Sequence, residues 1–314
     1  MSSFGDLNRV NTNIQSLIAQ LSLNRINRSL AINQLQLSTG MRINRAEDNA
    51  AGYSIATKLN SRVAGLGQAL QNVGDAKSVL DIAESSFDTI MDNLIEMKAL
   101  ATQASNDTLG STERDYLGKQ IAALGQDIND IANQTVFQDF DLLNGQAGLT
   151  GASAFSGSLT LTFQVGERAS DTITTNISAV NVNQLFNTSS ITSGNISVST
   201  GGAPGQQGSL VFGNGATGAT SADFRSFLSV IDGAIDSMAR RVNQVGITQS
   251  SLSIREVTLS RGISANRSAV SRIMDTDFAR AQSESIRLQI LQQTAIAALA
   301  QANMGPQSVL GFLR

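Results

Sequence analysis

Residues Leu66–Ala104 read LGQALQNVGDAKSVLDIAESSFDTIMDNLIEMKALATQA. Alternating steps of three and four visit Leu66, Ala69, Val73, Ala76, Leu80, Ala83, Phe87, Ile90, Leu94, Met97, Ala101 and Ala104, and all twelve are apolar. A 3.5-residue period held this long is a helix with one narrow hydrophobic seam, which must pack along another helix. At 1.5 Å per residue the rod is about 60 Å long, so its partner has to be comparably long. The partner lies far downstream. From Phe224, the positions Leu228, Ile231, Ile235, Met238, Val242, Val245, Leu252, Leu259, Ile263, Val270 and Ile273 continue a second seam, with Gln249, Glu256 and Asn266 as its polar lapses.

The flanks follow the same logic. Residues 7–37 read as a helix with one stripe of Val10, Ile14, Leu17 and Leu21, then a second of Leu23, Ile26, Leu30 and Leu37 shifted in phase. The shift is expected to break a straight heptad coil near residue 22. After a break at Met274-Asp275-Thr276-Asp277, a last helix to about Asn303 carries Leu288, Leu291, Ala295, Leu299 and Ala302. It matches the first helix in size and pairs with it most economically. Between the first helix and the rod, Ser38–Gly52 (STGMRINRAEDNAAG) reads as a polar connector. Asn106–Gly110 has turn composition, Ser111 and Thr112 are candidate caps, and Leu117, Ile121, Leu124, Ile128 and Ile131 give a further seam. That arrangement is a helical hairpin.

The middle differs. Leu159–Phe163 and Ile173–Ile177 alternate as strands do, around a turn at Gly166–Asp171. Residues 187–222, rich in Ser, Thr, Gly and Asn, read as an exposed, weakly packed excursion. The expected fold is mainly α: a long antiparallel helical bundle or coiled coil of nested N- and C-terminal helices, with a small β-hairpin region at the turning point. The expected domains are 1–45 with 275–314, 46–186 with 224–274, and a variable loop or stub at 187–223.

Composition narrows the chemistry. The 314 residues include no His, no Cys and no Trp. Disulfides, thiolate nucleophiles and zinc sites built on Cys or His are excluded, and the usual base at neutral pH is missing. The net charge of −3 is unevenly spread: residues 1–46 carry five arginines against Asp6, and residues 47–150 carry fifteen acids against six bases. This pattern reads either as solvated helix faces or as complementary surfaces between neighbouring copies. The basic head is too sparse for nucleic acid, and no apolar run approaches the ~20 residues that span a bilayer. No signal peptide is read at the start, where Asp6, Asn8, Arg9, Asn11 and Asn13 interrupt any hydrophobic run. Gly213-Asn214-Gly215-Ala216-Thr217-Gly218 has the spacing of a dinucleotide loop but lacks its strand-to-helix setting, so no cofactor is expected.

Two stretches are more specific. LSTGMRINRAEDNAAGYSIA (Leu37–Ala56) and ILQQTAIAALAQANMGPQSVLGFLR (Ile290–Arg314) resemble the signature segments of bacterial flagellins, as do Ser271–Asp275 and FQVGERASDTI (Phe163–Ile173). The resemblance implies a structural, non-enzymatic subunit that self-assembles into the flagellar filament used for motility, with a hook–filament junction protein as the alternative. Some flagellins carry a protease in an outer domain; the His-Glu-x-x-His motif this needs is absent from a chain without histidine. The resemblance further implies terminal helices that line an inner tube and fold on assembly, partners in the export apparatus, export chaperone, filament cap and junction proteins, and an extracellular destination reached through the flagellar secretion channel. The outer domain of many flagellins is reduced here to fewer than forty residues. Glu96 stands where flagellins recognised by the innate immune receptor carry an arginine, which implies weak recognition.

Assembly is expected to rest on Leu17, Leu21, Leu30, Leu288, Leu291 and Leu299 of the terminal seams and on Arg42, Arg45, Glu47 and Asp48 of the connector. Plain intramolecular packing or solvation is the competing role for each. Ser189, Ser190, Thr192 and Ser193 are candidate O-glycosylation positions.

Overall fold

The computed structural model describes residues 12–138, 140–144, 157–186, 195–199, 208–213 and 218–311. Six helices dominate: α1 (Ile14–Thr39), α2 (Ala50–Ala104), α3 (Ser111–Gln134), the short α4 (Val182–Leu185), α5 (Ser221–Met274) and α6 (Phe278–Gly311). Three antiparallel strand pairs lie among the described residues: β1 (Val136–Phe137) with β2 (Phe140–Asp141), β3 (Ser158–Gln164) with β4 (Thr172–Ser178), and β5 (Ile196–Ser199) with β6 (Ser209–Phe212). Contacts divide the chain into two units, residues 65–261 and residues 1–64 with 262–314.

The central unit is built on the seam. Eleven of the twelve α2 positions, Ala69 to Ala104, are buried, and Leu66 packs against their cluster. Phe224, Ile231, Met238, Val245, Leu252 and Leu259 of α5 are buried in the same core. Two polar lapses of the second seam reach across to α2. Gln249 donates from Nε2 to Asp81 Oδ1 (2.9 Å) and Glu84 Oε2 (2.7 Å), and Glu256 pairs with Lys77 at 3.0 Å. Lys98–Asp232 (2.6 Å) and Asp107–Arg225 (2.7 Å) continue the antiparallel register. Exposed pairs of this kind add at most about 1 kcal/mol each, so the apolar seam supplies the stability and the charges fix the alignment.

β3 and β4 pair from Ser158↔Ser178 to Gln164↔Thr172, as the alternation predicts, and Val165 N–H closes the turn onto Asp171 O at 2.9 Å. The buried Thr175 and Thr248 hydroxyls meet at 3.2 Å and fasten β4 to α5.

The segment read as an exposed excursion is different where it is described. Ile196, Val198 and Leu210 are buried, and Phe212 stacks on Phe224 with ring centroids 5.5 Å apart. β6 lies directly on α3: a Cβ added to Gly118 would fall 2.9 Å from Phe212 Cβ, so the approach requires glycine. Asn129, also buried, donates to Gly208 O (2.9 Å) and accepts from Val182 N–H (3.0 Å), tying α3 to the foot of β6 and to α4. Ser111 and Thr112 do not cap α3; the cap position is Gly110, without a side-chain hydrogen bond.

In the terminal unit α1 and α6 run antiparallel. Asn13 caps α1 by accepting from Ser16 N–H (3.0 Å) and donates to Ala302 O (2.7 Å), while Gln292 donates to Asn27 Oδ1 (2.8 Å). Gly40 ends α1 in the left-handed conformation (φ 71°), a turn that favours glycine, and its N–H donates to Gln36 O.

Candidate assembly interface

The inward stripe of α1 is Ala19, Leu23, Ile26, Leu30 and Leu37, half-buried, with Asn33 buried among them. That of α6 is Ala281, Ser285 and Leu288, buried, followed by the half-buried Ala295, Leu299 and Ala302. The helix α1 runs continuously through the phase shift near residue 22, and Leu17 and Leu21 belong to a second, outward stripe. Leu288 is the one large aliphatic side chain of this helix pair that is buried among the described residues. So thin a shared core leaves the pair short of apolar burial.

The apolar surface missing inside is outside. Leu17 is 57 % exposed, Leu21 54 % and Leu291 41 %, whereas Leu288 is 6 % exposed. Ile18, Ile32 and Leu35 of α1, and Phe278, Ile286, Ile290, Ile296 and Met304 of α6, are exposed as well. Of the six expected seam residues, three thus face outward, Leu30 and Leu299 are half-buried on the inward stripes, and Leu288 is buried between the helices. The outward isoleucines escaped the seam reading because a single stripe accounts for one face only. Apolar residues all round a polar-interrupted helix were the available signal.

In the connector, Arg42 donates through its backbone N–H to Met274 O (2.5 Å) and through Nη2 to Ile273 O (2.8 Å), closing the α5 end onto the α1 end. Asp48 Oδ2 accepts from the backbone N–H groups of Asn44 (3.0 Å) and Arg45 (2.9 Å), which shapes the loop. Arg45 and Glu47 form an exposed pair at 3.4 Å. The connector is less polar than its composition: Ile43 is buried with Ala56 and Met274. Asn49 accepts from Gly52 N–H (2.9 Å) at the start of α2. Ser189, Ser190, Thr192 and Ser193 lie outside the described residues.

Hydrogen bonds from Ser221 and then Arg225 hold the Asp107 carboxyl below its ordinary value. Asp107 thereby links the α2–α3 turn to the start of α5. Lys119 is raised by its bond to Asp115, and burial followed by the neighbouring Arg240 lowers Arg241. No group of three or more His, Cys, Asp or Glu side chains able to hold a metal occurs among the described residues, and none of their helices is long and apolar enough to cross a membrane.

A cysteine-free helical chain whose terminal helices direct apolar faces outward defines a class: a subunit made for association with further copies. Comparison with known proteins is specific. The bacterial flagellin N-terminal helical region matches residues 10–148 and the bacterial flagellin C-terminal helical region matches residues 228–313. A flagellin of Bacillus subtilis is 31 % identical over 308 residues, covering 98 % of this chain and 100 % of the relative. One of Listeria monocytogenes is 30 % identical over 300 residues, covering 95 % and 97 %. A putative flagellar hook-associated protein from Vibrio parahaemolyticus superimposes with a TM-score of 0.54 at 13 % identity, over 73 % of this chain and 100 % of the other, a likeness of fold alone. The chain belongs to the bacterial flagellin family.

Proposed function

We propose that this chain polymerises through the outward apolar faces of α1 and α6, with the connector fixing the geometry between the helix ends. It is a structural subunit of the bacterial flagellar filament, extracellular in its working state, and its main partner is itself. The exposed Leu17, Leu21 and Leu291 carry the reading, because a thin intramolecular pair with apolar residues outside gains more from neighbouring copies than from its own partner helix. Contacts in an open filament join different patches of successive copies.

Export through the flagellar secretion channel, with the export apparatus, an export chaperone, the filament cap and the junction proteins as partners, completes the proposal. Its support is the family membership together with a sequence free of disulfide-forming residues, which suits threading of an unfolded chain. Arg42, Arg45, Glu47 and Asp48 then act mainly by shaping the connector. Truncation tests the reading directly. Protein lacking residues 1–40 and 278–314 is expected to keep the helical signal of residues 65–261 and to form no filaments by sedimentation or electron microscopy. Long filaments from that protein would overturn it.

A further inference from the structure

A cleft opens on the central unit between the β1–β2 hairpin, β3 and α2. Its inner recess, about 250 Å³, is lined almost wholly by apolar side chains. β3 supplies Leu159, Leu161 and Phe163, which alternate along the strand and so share one face. Phe137 and Phe140 are register partners, so both rings leave their hairpin on the same side. Val79 of α2 completes the lining. An outer recess of about 310 Å³ shares Val79, Phe137, Thr162 and Phe163 with the inner one and adds Asn72, Asp75 and Gln164. The polar groups there are mostly spent on the protein itself. Asn72 donates from Nδ2 to Gln164 O (3.2 Å), and Gln164 donates from Nε2 to Gly166 O (2.8 Å) and Arg168 O (2.6 Å). The exposed Asp75 carboxylate makes no hydrogen bond or ion pair among the described residues. One negative charge is thus left unanswered at the mouth of an apolar pocket.

We infer that this cleft binds a small aromatic amine, its ring seated among Phe137, Leu161 and Phe163 and its ammonium donating to the Asp75 carboxylate. Size, shape and charge select the occupant. A dry apolar cavity of about 150 Å³ accommodates benzene, so the inner recess has room for a one- or two-ring aromatic group. Aromatic walls favour a flat ring, which stacks or meets them edge to face. A free carboxylate beside an apolar opening attracts a cation and repels an anion. The arm between ring and amine is short, because Asp75 and Val79 are four residues apart on α2, one helical turn or about 6 Å along its axis. The site lies within residues 72–164, away from the terminal helices, so the inference does not rest on the assembly reading.

Tryptamine is the probe, and this chain suits it: with no tryptophan, the protein adds no indole emission of its own. Titrating tryptamine with the unassembled full chain is expected to move its emission to shorter wavelength and raise its anisotropy. The signal is expected to saturate at one site per chain with a Kd below about 1 mM. Indole-3-acetate, the same ring with the opposite charge, is expected to bind at least about tenfold more weakly. Asp75→Asn alters an exposed side chain outside the core, so the fold is retained. That variant is expected to weaken tryptamine about fivefold and to leave the neutral 3-methylindole unchanged. Absence of saturable tryptamine binding would overturn the site. Equal affinity for tryptamine and indole-3-acetate would overturn it as well. So would tryptamine binding unmoved by Asp75→Asn, because the probe would then sit on apolar surface elsewhere.

Discussion

Replacing Leu17 and Leu21 together by glutamine separates the outward stripe of α1 from its inward one. Glutamine is nearly as good a helix former as leucine, so the helix itself loses little. Fully burying a leucine side chain is worth about 1.5–3 kcal/mol. With 57 % and 54 % of these residues still exposed in the single chain, assembly has roughly half of that left to gain at each. The pair therefore contributes about 1.5–3 kcal/mol per subunit added, which converts to a critical concentration about 10–140 times higher. Sedimentation of the polymer across a concentration series reads this directly. Circular dichroism of the unassembled protein is expected to stay unchanged, because neither residue takes part in the α1–α6 core. Leu288→Ala is the contrasting change: at 6 % exposure it creates a cavity and removes about 2–5 kcal/mol from the helix pair itself. A critical concentration for the double glutamine variant within about threefold of the parent would show that the outward stripe faces solvent in the filament, and the reasoning would fail.

Gly118→Ala is expected to lower the melting temperature of the central unit despite the gain in helix propensity, because the new Cβ meets Phe212 Cβ at 2.9 Å; a loss of about 1–3 kcal/mol is the scale for such overpacking. Asp107 is depressed by its bonds to Ser221 and Arg225, so its contribution is present above the ordinary carboxyl value near 3.8 and is lost as pH falls through the lower folded value. Asp107→Asn should remove that component from an acid titration of stability, and an unaltered acid limb would count against the clamp. Glu96 is exposed on α2, and purified monomer is expected to give a weak innate-receptor reporter response that Glu96→Arg strengthens; no gain from that substitution would sink the charge argument.

The long rods were legible because their signal is local and repeated. Each of the twelve α2 seam positions reports the same face, and the structure buries or half-buries them all. Turns at residues 106–110 and 275–277 announced themselves by composition in the same way. What escaped the sequence was set by distant partners. Ile196 and Val198 alternate as a strand should, but two residues among serines are too few to outweigh a loop-like composition. Their partner strand β6 lies on Gly118 and Gly125 of α3, some ninety residues away. Asn33 and Asn129 look alike in sequence, polar residues on apolar helices, yet one is fully engaged by Gly208 and Val182 while the other keeps an empty acceptor. Leu17 and Leu23 differ only in phase. Which stripe faces α6 depends on α6 itself.

The clasp of β5 and β6 on α3 has a practical corollary. Ser199 and Ser209 are paired across the two strands, so chain entering and leaving the stem does so at one fixed, narrow spacing. Foreign sequence spliced between them would hang from a stem already held by Asn129, Phe212 and the helix glycines, with its ends brought together at no new entropic cost. Repeated at every subunit, that one junction turns the fibre into a regular lattice for displaying peptides.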